Sequence, residues 1–277
     1  MLFQALSYIR FLLRSGNAHG LHSPFVFGLY TRVIDSQHDA AAAYAPIEAR
    51  RQALRQNPAI ITVRDFGAGS HTGAGRQRRL RDIARTAAKP RQFGQLLFRL
   101  VQHFQPKVVL ELGTSLGLTT AYLAAANAQA QVVTFEGCPQ TAAVARQTFV
   151  GLGLTNIELV EGNLDETLAP TLTALPGPLD FAFFDGNHRY EPTVRYFEQC
   201  LPYRTDQSVF ILDDIHWSAE MARAWRTIKQ HPEVMLTIDL FFIGLVFFRK
   251  NQPKQHFTLR FDNVMDKLLN RVKPLSA

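Results

Sequence analysis

Lys107-Val-Val-Leu-Glu-Leu-Gly-Thr-Ser-Leu-Gly-Leu-Thr-Thr120 decides the fold. Its apolar, β-branched start reads as a strand, the strand stops at Gly113, and the alanine-rich Ala121-Tyr-Leu-Ala-Ala-Ala126 after Gly117 reads as a helix. Strand, glycine turn and helix in that order make a ligand platform. Two glycines let backbone approach a bound molecule closely, and the unpaired N–H groups of the helix start face whatever rests on the turn.

Outward from this stretch the chain alternates. A helix is expected over Phe93–Phe104. Strands follow at Val108–Leu112, Gln131–Phe135, Ile157–Val160, Leu179–Phe184 and Ser208–Leu212, separated by helical patterns at 118–127, 141–152, 165–175, 190–201 and 219–230. Such alternation implies a parallel sheet with helices on both faces. The last two apolar runs, Leu236–Phe242 and Leu245–Phe248, leave no room for a helix between them and are expected to form an antiparallel hairpin turning at Ile243-Gly244. Beyond them lie Lys254–Phe261 and a short basic helix reaching about Val272.

At 277 residues, 47% hydrophobic and 19% charged, the chain is long and apolar enough to bury a sizeable core, which argues against disorder. Cys138 and Cys200 are too few for a disulfide framework and too far apart for metal-ligand spacing, so both read as packing residues of a reducing compartment. The N-terminal run Met1–Arg14 is interrupted by Arg10 and lacks a small-residue cleavage site, which argues against a signal peptide. No apolar run is long enough for a transmembrane segment, and a cytoplasmic location is the expectation.

Leu2, Leu6, Ile9, Leu12 and Leu13 have helix spacing and form an amphipathic arm, expected to pack on the main domain or on a partner subunit, as in a homodimer. His19 and His22 lack the second pair a metal site needs, and their segment reads as a loop, with Ser23-Pro24 opening a helix through Tyr30 and Val33. Ile60–Gly75 is a second apolar run ending in glycines. No Lys-Ser/Thr pair closes it as a phosphate loop, and Thr72 stands at the third glycine position of a dinucleotide fingerprint, so a lid is the reading. Much of the +7 formal charge sits in Arg76, Arg78, Arg79, Arg81, Arg85, Lys89 and Arg91, read as a solvated helix face. These segments give an N-terminal extension over 1–91, a catalytic unit over 92–250 and a C-terminal extension over 251–277.

Five parallel strands closed by a hairpin resemble the Rossmann-like class I S-adenosylmethionine-dependent methyltransferase fold, an α/β architecture with a mostly parallel seven-stranded sheet. Glu111-Leu-Gly-Thr-Ser-Leu-Gly117 is similar to that family's first motif, with Ser115 replacing a glycine often seen there. The resemblance implies a cofactor site of Glu111, Gly113, Thr114, Ser115, Gly117, Glu136, Gly137, Asn163 and Asp185, with Glu136 on the ribose hydroxyls and Asn163 beside the adenine. A narrower resemblance, over 92 to about 250, is to the metal-dependent O-methyltransferases of the catechol, caffeoyl-coenzyme A and antibiotic-sugar type. Gln92–Leu97, Asp185-Gly-Asn-His-Arg-Tyr-Glu191 and Asp213-Asp-Ile-His-Trp217 carry it. It implies a divalent ion, magnesium by the hardness of its ligands, on Asp185, Asp213 and Asp214. His188 falls where those enzymes carry a lysine base, and His216 is the alternative base. The implied acceptor is a small hydroxylated molecule.

Three other readings remain open at this point. Gly113-Thr-Ser-Leu-Gly117 also spells a hydrolase nucleophile elbow, although Glu111 and Glu136 have no role there. The basic block suits an RNA methyltransferase acting on transfer or ribosomal RNA, although two acids, Asp213-Asp214, stand in place of the amino-group motif. A non-catalytic cofactor-binding module has the same sequence signature.

Overall fold

The structure is a computed structural model that describes residues 2–36, 40–64, 77–250 and 252–261. The glycine-rich part of the expected lid, 65–75, Arg76 of the basic block and the expected basic C-terminal helix, 262–272, lie outside the described residues. In chain order come α1 (Leu2–Arg14), α2 (Pro24–Leu29), α3 (Ala41–Gln56), β1 (Ile60–Thr62), β2 (Gln77–Arg79), α4 (Leu80–Thr86) and α5 (Arg91–Phe104). The alternating region follows with β3 (Val108–Leu112), α6 (Leu118–Ala126), β4 (Gln131–Glu136), α7 (Pro139–Gly151), β5 (Ile157–Glu161), α8 (Leu164–Thr173), β6 (Leu179–Phe184), α9 (Tyr190–Cys200), β7 (Arg204–Asp213) and α10 (Ala219–Gln230). Three strands close the described chain: β8 (Leu236–Asp239), β9 (Ile243–Phe247) and β10 (Gln255–Thr258).

The main sheet has the order β10-β8-β9-β7-β6-β3-β4-β5, with β9 antiparallel to both neighbours and all other pairs parallel. This is the mostly parallel α/β sheet expected from the alternation, with one strand more. The extra strand comes from the 254–261 segment, whose Gln255–Thr258 pairs in parallel with Leu236–Asp239. The hairpin turns at 240–242, with Phe241 at φ 72, rather than at Ile243-Gly244. Gly244 is needed inside β9 instead, because a Cβ there would come within 2.6 Å of the Trp225 ring.

Period-two alternation explains the two layers. Val109, Phe181, Phe183, Val209 and Ile211 point to the face covered by α5 and α6, where Leu96, Leu97 and Tyr122 meet them. Leu110, Leu112, Ala182, Phe184, Phe210 and Leu212 point to the opposite face, against Leu168, Tyr196, Phe197 and Trp225. Burying each such large apolar side chain contributes roughly 1.5–3 kcal/mol. Both faces being covered is why these strands read as continuous apolar runs.

Helix α2 starts where Ser23-Pro24 predicts, with the Ser23 hydroxyl accepting from the Val26 amide, and passes into a wider turn over Tyr30–Ile34. The basic block is only partly a helix: Gln77–Arg79 pairs with Ile60–Thr62 as a two-stranded sheet before α4 begins. The N-terminal arm packs on the main domain through Tyr8 and Phe11, both against Phe241, and Gln4 donates to the Trp217 carbonyl at 3.1 Å. Leu6, Ile9 and Leu13 stay exposed on its other side. Among the described residues no helix is long and apolar enough to cross a membrane.

Candidate active site

The sheet reverses its winding between β3 and β6, and ligands of open parallel sheets bind at the carboxyl ends of the strands beside that point. Gly113 and Asp185 are the first residues past those two strand ends. They touch: a Cβ on Gly113, whose φ is +114, would come within 2.6 Å of the Asp185 carbonyl oxygen. A cavity of about 440 Å³ opens there, within the range of ~300–1,000 Å³ that holds small ligands. Gly113, Ser115, Glu136, Gly137, Asn163 and Asp185 line it on the sheet side. Ile83, Thr86 and Ala87 of the α4 segment line it together with Val63, Arg64 and Arg78, and His188 with Trp217.

Three expected cofactor residues stand behind this wall rather than in it. Gly117 is the left-handed residue before α6, packed so that a Cβ would meet the Phe149 ring. The Thr114 hydroxyl lies 2.6 Å from that of Thr134. Glu111 is fully buried: one carboxyl oxygen accepts from Thr120 and Thr134, and the other has no partner among the described residues. Burial pushes its pKa up to about 8, against the pull of the two threonines, with Asp185 and Glu136 adding to the rise.

Glu136 ends β4 and fixes the turn. Its carboxylate accepts from the amides of Ser115 and Cys138, both at 2.9 Å, and a carboxylate has about four acceptor positions in all. Ser115 sits at φ 49, a left-handed conformation that suits glycine better, which explains why a glycine is often seen at this place in the motif. Asn163 caps α8 through the Asp165 amide while facing the cavity.

The acidic corner forms as Asp185, Asp213 and Asp214 come off β6 and β7. Asp213 is the most buried of the three, and Asp214 holds a left-handed backbone at φ 53. Neither caps the next helix, since Ser218 caps α10. In the middle of the three acids is Lys89. Its ammonium is 3.1 Å from Asp185 and 3.9 Å from Asp214, and it donates to Asp213. Burial alone would lower the Lys89 pKa, but Asp185, then Asp213 and Asp214, hold it well above the usual lysine value. Asp185 is half-buried, which alone would raise its pKa, yet Lys89 and His188 pull its carboxyl below the ordinary range. Lys89 was not visible as a site residue in the sequence. It belongs to the block read as solvated surface, and only the need of three carboxylates for a cation could have pointed to it.

The two histidines part company. His188 Nε2 lies 3.4 Å from Asp185 and its ring faces Trp217 at the cavity wall. His216 turns away: its Nε2 is 2.8 Å from Asp239, which also accepts from Trp225, and its ring stacks on Phe241. Asn187, immediately before His188, holds a left-handed conformation at φ 49.

The oxygen donors and His188 are what a hard divalent ion takes, and Asp185, His188 and Asp213 each bring one ligand atom within 4.8 Å of the others. The charge arrangement does not fit a metal as the corner stands, because Lys89 already fills the point on which the three carboxylates converge.

Residues 110–215 match a family described as a methyltransferase domain. The chain is 34% identical over 136 residues to a catechol O-methyltransferase of Mycobacterium tuberculosis, covering 48% of this chain and 59% of that protein. It is 30% identical over 124 residues to a catechol O-methyltransferase of Niastella koreensis, covering 44% and 55%. The chain thus spans a little over half the length of these curated relatives. A solved O-methyltransferase from Bacillus cereus in complex with S-adenosylhomocysteine shares the fold, with TM-score 0.54 and 20% identity over 78% of this chain and 94% of that one.

Proposed function

We propose that the chain is a methyltransferase of the class I fold that transfers the methyl group of S-adenosylmethionine to an oxygen of a small hydroxylated acceptor. The observation that carries the reading is the convergence of Gly113, Ser115, Glu136, Asn163 and Asp185, from four successive strand ends, on one cavity beside the acidic corner.

When bound, the cofactor would supply a methyl carbon on a sulfonium, which the acceptor oxygen attacks while the sulfur leaves as a thioether. The Gly113–Gly117 turn gives that group a close backbone floor, and Glu136 orients the turn while offering acceptor capacity to a diol. His188, at the cavity wall and oriented by Asp185, accepts the proton that the acceptor hydroxyl releases. Trp217 and the α4 segment exclude water on the acceptor side, so the reaction gains mostly from positioning. The chemistry belongs to residues 92–250, and the extension over 1–91 contributes a wall and Lys89. Magnesium on Asp185, Asp213 and Asp214 is the reading carried by the narrower family resemblance; Lys89 competes with it for the same place.

Incubation with S-adenosylmethionine carrying a labelled methyl group and a panel of phenols, catechols and sugars tests the proposal. Label is expected in an ether-linked product with one S-adenosylhomocysteine formed per transfer. Label in an amine or a carbon product alone overturns O-methylation. Arg64 and Arg78 beside the cavity favour a second reading, RNA as the acceptor, which predicts a salt-sensitive shift with transfer RNA and label in the nucleic acid.

A further inference from the structure

We propose that Lys89 is the resident cation of the acceptor corner and takes the place of a divalent metal ion. Its ammonium contacts all three carboxylates that converge at the ends of β6 and β7, and its side chain is 15% exposed. It donates to Asp213, pairs with Asp185 at 3.1 Å and lies 3.9 Å from Asp214.

The placement is built and not accidental. Lys89 lies in the short connection between α4 and α5, and its carbonyl oxygen accepts from Arg51 Nη1 at 2.7 Å. Arg51 is itself buried on α3 and paired with Glu48 at 3.2 Å, and Glu48 in turn accepts from Tyr122 on α6. The backbone that carries Lys89 is therefore tied through α3 to the helix that follows the Gly113–Gly117 turn. Pro90 after it and Phe93 at the start of α5 further limit where the stem can go, since the residue before a proline is held extended.

A magnesium ion on the same carboxylates would sit about 2.0–2.1 Å from their oxygens, inside the volume that the ammonium occupies. The two cations exclude one another by space and by charge. An ammonium compensates one negative charge where a dication compensates two. It also has no open coordination positions, so it presents an N–H to one acceptor oxygen instead of chelating two. Lys89 thus acts as a positioning residue: it holds Asp185 in the orientation His188 needs and marks the place of the reacting hydroxyl. This consequence rests on the methyl-transfer reading, whereas the occupancy of the corner by Lys89 does not.

Manganese, followed by electron paramagnetic resonance, is the probe. The wild-type protein is expected to bind no Mn2+ in this corner at millimolar ion, and Lys89→Met to acquire a site that Asp213→Asn added to it removes. Turnover is expected to survive chelator unchanged, to fall roughly 10²–10³-fold in Lys89→Met, as on losing one donor from a preorganised site, and to recover in part in Lys89→Arg. Wild-type Mn2+ binding that Asp213→Asn abolishes, or turnover lost in chelator and restored by magnesium, overturns the proposal. The wild-type titration decides the matter even if Lys89→Met does not fold. S-adenosylmethionine calorimetry on the same samples separates a wrong cation from a wrong activity.

Discussion

Glu111→Gln gives the sharpest test of how the core beneath the turn is charged. Burial lifts the Glu111 pKa from an ordinary 4.5 to about 8, more than the hydrogen bonds from Thr120 and Thr134 draw it down. The sign follows from linkage. A carboxyl whose folded pKa is raised keeps its proton in the folded chain while the unfolded chain releases it, so its contribution to stability is full below pH 4.5 and is lost as pH rises to 8. At about 1.36 kcal/mol per unit, the 3.5-unit gap is worth about 5 kcal/mol. Glutamine is close in shape, keeps an acceptor for the two threonines and does not titrate. Urea unfolding at pH 5, 6, 7 and 8, followed by circular dichroism, should therefore show the variant gaining on wild type by up to about 1.4 kcal/mol per pH unit, about 3.5 kcal/mol in total. Other titrating groups largely cancel in that difference. Profiles of variant and wild type that run parallel within about 0.5 kcal/mol would refute the reasoning.

Three further predictions concern the turn and the corner. Gly113→Ala combines a left-handed φ with a Cβ 2.6 Å from the Asp185 carbonyl, and should cost at least about 1–3 kcal/mol in thermal or urea unfolding and abolish cofactor binding. Ser115→Gly relieves a left-handed residue worth roughly 1–2 kcal/mol against a glycine entropy cost of about 0.5–1, so it should stabilise by up to about 1 kcal/mol. It should also keep methyl transfer, whereas loss of all activity and labelling of wild-type Ser115 by a fluorophosphonate would revive the nucleophile elbow. His188→Ala should lower kcat by roughly 10²–10⁴ with cofactor affinity intact, and His216→Ala, which loses its contact to Asp239 and its stacking on Phe241, should lower stability and leave kcat near wild type.

The parallel strands were legible because their residues are buried on both faces, which leaves long apolar runs with Gly113 and Asp185 at the ends. Glu111, Glu136 and the paired aspartates stood out for the same reason: charged groups at the ends of apolar strands. What escaped the sequence was contact across distance. Lys89 meets Asp213 from 124 positions away, and nothing local distinguishes it from the arginines around it. The three carboxylates did announce a need for positive charge, which resemblance supplied as a metal and the fold supplies as a side chain. Gln255–Thr258 escaped because an edge strand of four residues has no alternation long enough to read, and its partner β8 is set by tertiary pairing. His216 sat close in sequence to the acids, but Asp239 on the neighbouring hairpin takes its ring.

Calorimetric titration of the full chain with S-adenosylmethionine tests the central claim most directly. The account predicts one saturable site per chain, competed by S-adenosylhomocysteine and weakened at least about tenfold in Glu136→Ala, which removes the carboxylate that holds the turn. Absence of any heat or thermal shift at millimolar S-adenosylmethionine would contradict it.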